Sequence, residues 1–260
     1  TGQRALVTAA SKGLGYATAC ELLREGARVV INSHDQANLD RAVARLRGEF
    51  GADAPVTALA ADLTDPGQVT DLMQAAAAAH GGLDILVTNN GGPPGGTFET
   101  TDPEAWSRAV DLTLLSAVTL VRAALPHLKQ SDVASVLTIT SLSVKQPIAG
   151  LHLSNVLRPA VVGLTKALSR ELGPAGVRAN SILPGWTATE RVDEILTMRA
   201  EASGKTPAQE AASITSGVPL GRMATPEEFG RVAAFMVSPA ASYLSGAMIQ
   251  LDGGAYAGLL

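Results

Sequence analysis

Short apolar runs rich in β-branched residues alternate with longer stretches of helical spacing along the 260-residue chain. The runs fall at 4–10, 27–33, 56–62, 83–90, 135–141, 177–184 and 248–252. Most are nearly continuous in apolar residues, the pattern of strands buried on both faces of a parallel sheet. Between them Leu39, Val43 and Leu46 repeat at i, i+4, i+7, and 18–24, 69–79, 103–129, 154–172 and 226–237 read as further helices. Thr64-Asp65-Pro66, Thr101-Asp102-Pro103 and Thr225-Pro226 each set a capping residue before a first-turn proline. This alternation predicts an α/β fold: a Rossmann-type, doubly wound, seven-stranded parallel sheet with right-handed crossovers and helices on both faces. No linker, low-complexity tract or short repeat interrupts it, so 1–260 reads as one dinucleotide-binding domain. The rhythm breaks at 190–221, a polar, small-residue stretch after a strand end. It is either a loop-and-helix excursion on the substrate side, at the carboxyl edge of the sheet where ligands bind, or a surface insertion.

Composition narrows the classes. Lys plus Arg number 20 against 24 Asp plus Glu, a net charge of −4, with no clustered basic excess to suit nucleic acid. The mean hydropathy is +0.19, yet no apolar run approaches the roughly 20 residues of a membrane span. The start of the chain carries no basic-then-apolar signal segment, and the lone Cys20 suits a reducing compartment, so a cytoplasmic location is expected. Tyrosines occur only at 16, 243 and 256.

The first strand runs into Thr8-Ala9-Ala10-Ser11-Lys12-Gly13-Leu14-Gly15 and then a helix. Glycines at 13 and 15 allow a tight turn and close approach of a pyrophosphate, which the helix N-terminal amides favour. The second strand ends Ile31-Asn32-Ser33-His34, with no carboxylate before Asp35. An acidic residue there would suit the ribose hydroxyls of NAD(H), whereas a 2′-phosphate wants cations and donors. With Lys12 on the same side, NADP(H) is preferred and NAD(H) is the second choice. Solvation of Lys12 and His34, with Asp35 nearby, is the plainer alternative.

These residues, with several later ones, resemble the short-chain dehydrogenase/reductase family over almost the whole chain, in texture the β-ketoacyl-acyl-carrier-protein reductase-like members. The loop from Thr8 to Gly15 is similar to the family's TGxxxGxG segment, with Ala9 replacing the first glycine. Asp62, followed by Leu63, matches the acidic residue that contacts adenine. Asn89 and Gly91 match the NNAG motif, and Asn180 with Pro184-Gly185 matches the segment beside the nicotinamide. Thr187 and Thr189 would hold its carboxamide, and Leu251-Asp252-Gly253-Gly254 matches the C-terminal VDGG. The resemblance implies a hydride moving between nicotinamide and a carbonyl or alcohol carbon while a proton moves on oxygen. It also implies a homotetramer or homodimer through long helices, for which Leu112, Leu115, Ala123, Leu164 and Leu168 are candidates; burial within one chain explains them equally well.

The family's usual catalytic set is Asn, Ser, Tyr and Lys. Ser141 stands where the serine belongs. Thirteen residues later the sequence reads Ser154-Asn155-Val156-Leu157-Arg158, with the register set by Gly163-Leu164-Thr165-Lys166. Ser154 therefore takes the tyrosine position and Arg158 the lysine position, while Thr113 occupies that of the asparagine. The pair keeps its i, i+4 spacing on one helical face. A serine hydroxyl is a poor proton source near neutrality, and losing a positioned general acid costs roughly 10²–10⁴ in rate. Arg158 stays charged and can bind ribose hydroxyls or steady an oxyanion. His152, two residues before Ser154, is either a substitute donor or an exposed helix-start residue. Tyr256 is a remote candidate on the C-terminal tail.

Three functions compete. The first is an NADP(H)-dependent oxidoreductase on a small-molecule carbonyl or alcohol, with β-ketoacyl-like substrates among the candidates. The second is a catalytically weak NADP(H)-binding sensor or scaffold. The third is a lyase similar to the halohydrin dehalogenases, which Arg158 favours but the glycine loop and Pro184-Gly185 oppose. The loop 91–96 and the 190–221 excursion would border the substrate, and neither carries a charge cluster that names it. No metal ligand set is present in the sequence.

Overall fold

The computed structural model describes residues 2–259. Seven parallel strands form one sheet in the order β3-β2-β1-β4-β5-β6-β7. They are β1 (Arg4–Val7), β2 (Arg28–Ser33), β3 (Val56–Ala60), β4 (Ile85–Thr88), β5 (Ser135–Ile139), β6 (Arg178–Pro184) and β7 (Met248–Leu251). Each lies within its predicted apolar run. The runs overshoot because the chain leaves the ladder at the carboxyl edge to form loops.

Successive side chains on a strand serve opposite faces. Ala5, Val7, Val29, Ile31 and Val87 pack with α1 (Gly13–Arg24), α2 (Gln36–Phe50) and α9 (Pro226–Val237). Leu6, Val30, Leu86 and Val136 pack with α3 (Pro66–His80) and α5 (Ser116–Leu128) on the other face. Fully burying such a side chain contributes about 1.5–3 kcal/mol, so two apolar faces explain why the strands read as continuous runs. The marked caps form: Asp65, Asp102 and Thr225 side chains accept from first-turn amides of α3, α4 (Pro103–Val110) and α9. Asp35 does the same for α2, a cap that the sequence pattern did not mark.

The predicted helix 103–129 is one continuous rod with a π-helical turn, Asp111–Leu115, between α4 and α5. Pro103–Leu128 is consequently a 26-residue helix whose most apolar 18-residue stretch has a mean hydropathy of 1.5, long and apolar enough by length and composition to cross a membrane. That corrects the expectation that no apolar stretch approaches such a length, because scattered polar residues break the run in sequence without lowering the average enough. α6 (His152–Leu172) follows β5. The stretch 190–221 contains two helices, α7 (Glu190–Ser203) and α8 (Pro207–Thr215), the latter opened by a Thr206/Gln209 capping box.

Candidate active site

A cleft of about 620 Å³ opens at the carboxyl edge of the sheet. One end is the turn from β1 to α1. Thr8 Oγ1 donates to the Asn89 carbonyl at 2.6 Å and accepts the Asn89 amide at 2.9 Å, while Asn89 Nδ2 donates to the Ala9 carbonyl at 3.2 Å. These bonds staple the loop to the end of β4. Buried Asn32 adds a second staple, donating to the carbonyls of Leu59 and Ala61, both at 3.2 Å. Ala9 has φ +45°, the one positive value at a non-glycine among the described residues, so alanine adopts here the backbone that a first glycine would relax. Ala9, Ser11, Lys12, Gly13 and Leu14 line the cleft. Gly15 does not; it is buried behind the loop, where a Cβ would sit 2.5 Å from the Ala9 carbonyl oxygen.

Ser33, His34 and Asn38 line the same end. Asp35 does not, because its carboxylate accepts the Asn38 amide at 2.9 Å and caps α2. Asp62 and Leu63 are also absent from the lining. Asp62 is exposed and its Oδ1 is held by the Thr64 amide and hydroxyl, at 2.9 and 2.8 Å, while the Leu63 side chain is buried in the core. The predicted adenine contact is therefore not part of this cleft.

The other end gathers Asn89, Asn90, Gly91, Ser141, Ser154, Arg158, Pro184, Gly185, Thr187 and Thr189. Ser141, at the tip of β5, accepts the Ser143 amide at 3.1 Å on its Oγ, which leaves the hydroxyl proton to donate elsewhere. Ser154 and Arg158 rise one turn apart on α6. Arg158 is 7% exposed, and its Nη1 donates to the Ile139 carbonyl at 3.0 Å. No carboxylate lies within ion-pair distance of it among the described residues. Burial, with a smaller contribution from Arg191, pushes its guanidinium down to about 10, so it is charged at neutral pH.

Sequence reasoning missed several lining residues. Asn90 donates to the Thr113 carbonyl at 3.4 Å, and both Asn90 Oδ1 and Thr113 Oγ1 are buried with no partner. Thr113 sits in the π turn, a distortion that often marks functional sites. α7, at the start of the 190–221 stretch expected to border the substrate, forms a roof that adds Glu190, Arg191, Val192, Glu194 and Ile195, none of them singled out individually. It is tied across the cleft by Arg191 Nη2 to the Pro93 carbonyl at 2.7 Å and by Arg199 Nη2 to the Ala149 carbonyl at 2.9 Å. Glu194 faces Lys12 at 3.8 Å and Arg191 at 3.1 Å. Arg191 lies only two residues past Thr189, a proximity that could have drawn attention to it. His152 does not line the cleft: its ring packs edge-on between Phe98 and Trp106, with centroids 5.5 and 5.4 Å away. Tyr256 is likewise outside the lining, with its ring 5.8 Å from the Lys145 ammonium.

The residues fit a dinucleotide. The loop and the α1 N-terminus offer amides to a pyrophosphate. At the far end Thr187 Oγ1 is buried without a partner, which suits a ligand amide. Ser141, Ser154 and Arg158 line the cleft together, and each can donate a hydrogen bond.

Comparison with known proteins places this geometry in context. The family model described as enoyl-(acyl carrier protein) reductase matches residues 8–256. A D-beta-hydroxybutyrate dehydrogenase from Cupriavidus necator is 32% identical over 255 residues, covering 97% of this chain and 97% of that protein. The crystal structure of L-sorbose reductase from Gluconobacter frateurii, complexed with NADPH and L-sorbose, matches with a TM-score of 0.93 at 27% identity over 100% of this chain and 98% of that one. The NADPH-bound structure of a short chain oxidoreductase from Pseudomonas aeruginosa PAO1, described as containing an atypical catalytic center, matches at 0.89 and 32% identity, covering 98% and 96%.

Proposed function

The chain belongs to the short-chain dehydrogenase/reductase family, and from that premise we propose that it is an NADP(H)-dependent oxidoreductase whose reacting centre is Ser141, Ser154 and Arg158. The carrying observation is one continuous cleft that joins the glycine loop to those three donors. When bound, NADPH supplies the hydride that a carbonyl carbon accepts, and the carbonyl oxygen takes up a proton.

The chain's own residues divide the remaining work. Lys12, Gly13 and the amides after them hold the pyrophosphate, and Thr187 receives the carboxamide. Preference for the 2′-phosphate is supported by His34, Asn38 and Lys12 in the lining and by an Asp35 already spent on capping. The NADPH complexes of the two solved relatives agree with it. Ser141 donates to the substrate oxygen, and Arg158 steadies the charge that develops there. Ser154 takes the tyrosine's place as a neutral donor, so the proton is drawn from water. Exposed Leu115, at 47%, on the long α4–α5 rod fits assembly as a homodimer or homotetramer.

Among the described residues no tyrosine lines the cleft, and that observation favours a second reading, a weakly catalytic NADP(H)-binding sensor or scaffold. Fluorescence titration of NADPH, followed by its oxidation across a panel of ketones, keto acids and sugars, separates the two. Binding with turnover that Ser141→Ala removes establishes the oxidoreductase. Binding with no turnover across the panel establishes the sensor.

A further inference from the structure

Buried charges are ordinarily paired, because an isolated ion loses its hydration and gains nothing in return. Arg158 breaks that pattern. Its guanidinium carries five donor hydrogens, and one acceptor, the Ile139 carbonyl, is supplied to it. Ribose hydroxyls of the cofactor can take further donors but bring no charge. A second cation, Arg191 on α7, lines the same cleft and keeps donor hydrogens beyond those given to Pro93 and Glu194. Glu194 pairs with Arg191 and Lys12 but, among the described residues, no carboxylate lies within ion-pair distance of Arg158. Leu112, Leu142, Ile148, Leu151 and Ile195 add apolar side chains to the lining.

We propose that the substrate carries a carboxylate, received by Arg158 from the α6 side and by Arg191 from the roof. A planar carboxylate matches a guanidinium fork with two parallel bonds and supplies the missing charge. Arg158 and Arg191 line the same cleft as Ser141 and Ser154, so an oxo acid can present its carbonyl and its carboxylate to one site. The substrate class is therefore an oxo acid with an apolar remainder, or the matching hydroxy acid in reverse. Reduction converts the C=O to CH–OH: a hydride from NADPH forms the C–H bond, NADP⁺ departs, and the oxygen gains a proton from water. This inference rests on the oxidoreductase reading and names the substrate of the same site.

The test pairs each acid with a neutral counterpart. With NADPH-loaded protein, 3-oxobutyrate is expected to exceed methyl 3-oxobutyrate in kcat/KM by at least about tenfold, the lower bound of a charge-assisted pair. Arg191→Gln is expected to lower the acid at least about tenfold more than the ester, and Arg191→Lys to recover part of the difference. In parallel, calorimetric titration of the NADP⁺ complex uses butyrate and butyramide as probes that cannot be reduced; butyrate is expected to bind at least about tenfold tighter. An active enzyme that prefers the ester, or treats both alike, overturns the carboxylate site and leaves the oxidoreductase standing. If neither compound turns over, the titration decides alone and the wider panel still judges the oxidoreductase: butyrate no tighter than butyramide overturns the carboxylate site, and tighter binding lost in Arg191→Gln, which leaves the cofactor residues intact, supports it.

Discussion

The Arg158 guanidinium spans from α6 to the end of β5, donating to the Ile139 carbonyl at 3.0 Å, and this neutral oxygen is its one acceptor among the described residues. The bond aims a cation into the cleft while leaving most of its donors uncommitted. Replacing a compensated buried ion usually destabilises, but an uncompensated one is a standing cost to the folded chain.

Arg158→Met should therefore unfold at a denaturant midpoint no lower than the parent, within about 1 kcal/mol, while weakening NADPH binding by about tenfold or more. Urea melts and fluorescence titration of the same preparations check the two halves. A loss of several kcal/mol would show that the folded chain itself pairs the charge.

Ser154→Tyr combined with Arg158→Lys should raise kcat for ketone reduction by about 10² or more, toward the 10²–10⁴ that a positioned general acid contributes. Ser154 already lines the cleft beside Ser141, so the new phenol needs no change of backbone. Steady-state kinetics from pH 6 to 10 should reveal a basic limb, absent in the parent, as the phenol loses its proton.

His34→Asp should reverse the cofactor preference. A carboxylate at the end of β2 repels a 2′-phosphate and accepts from ribose hydroxyls instead. The ratio of NADPH to NADH affinity is expected to fall by about tenfold or more, equivalent to roughly 1.4 kcal/mol. An unchanged ratio would mean that Lys12 and Asn38 alone carry the discrimination.

Much of this was legible in sequence because it depends on local pattern. Ile31 and Leu86 announce buried strands, Asp65-Pro66 announces a helix start, and Ser154 and Arg158 follow from spacing after Ser141. What escaped depends on which chain segments meet in space. Asp62 and Leu63 match a motif, yet an Asx-type turn to Thr64 and core packing take their side chains out of the cleft. His152 lies beside Ser154 in sequence but turns to Phe98 and Trp106, and no periodicity foretells that. The π turn at Thr113 and the roof residue Arg191 likewise arise from tertiary packing, against α6 and across to Pro93.

Two glycine substitutions should have opposite signs. Gly15→Ala forces a Cβ to 2.5 Å from the Ala9 carbonyl oxygen and 2.9 Å from Ala10 Cα, both backbone, so the phosphate loop must shift. Loss of about 2 kcal/mol or more and of NADPH binding is expected. Gly163→Ala in α6 meets nothing within 4 Å and should gain up to about 1 kcal/mol from helix propensity. Thermal melts with and without NADPH distinguish them.

Acid stability should depend on Asp84, at the start of β4. Burial acts to raise its carboxyl, but hydrogen bonds from Arg4 and Ser131 outweigh that and hold it below its ordinary 3.8. Arg4 Nε and Nη2 reach its two oxygens at 2.9 and 2.6 Å, with the Arg4 amide at 2.8 Å. A depressed carboxyl binds fewer protons folded than unfolded, so its stabilisation is fully present above the unfolded value and fades as pH falls through the lower folded one. Asp84→Asn should cost about 1.5–3 kcal/mol at pH 7, through weaker bonds to a charged partner. Because the variant has no carboxyl there to protonate, the gap between parent and variant should close as pH drops below about 3.9. Urea midpoints measured from pH 7 to pH 3 test this, and a gap that stayed constant would remove Asp84 as the titrating group.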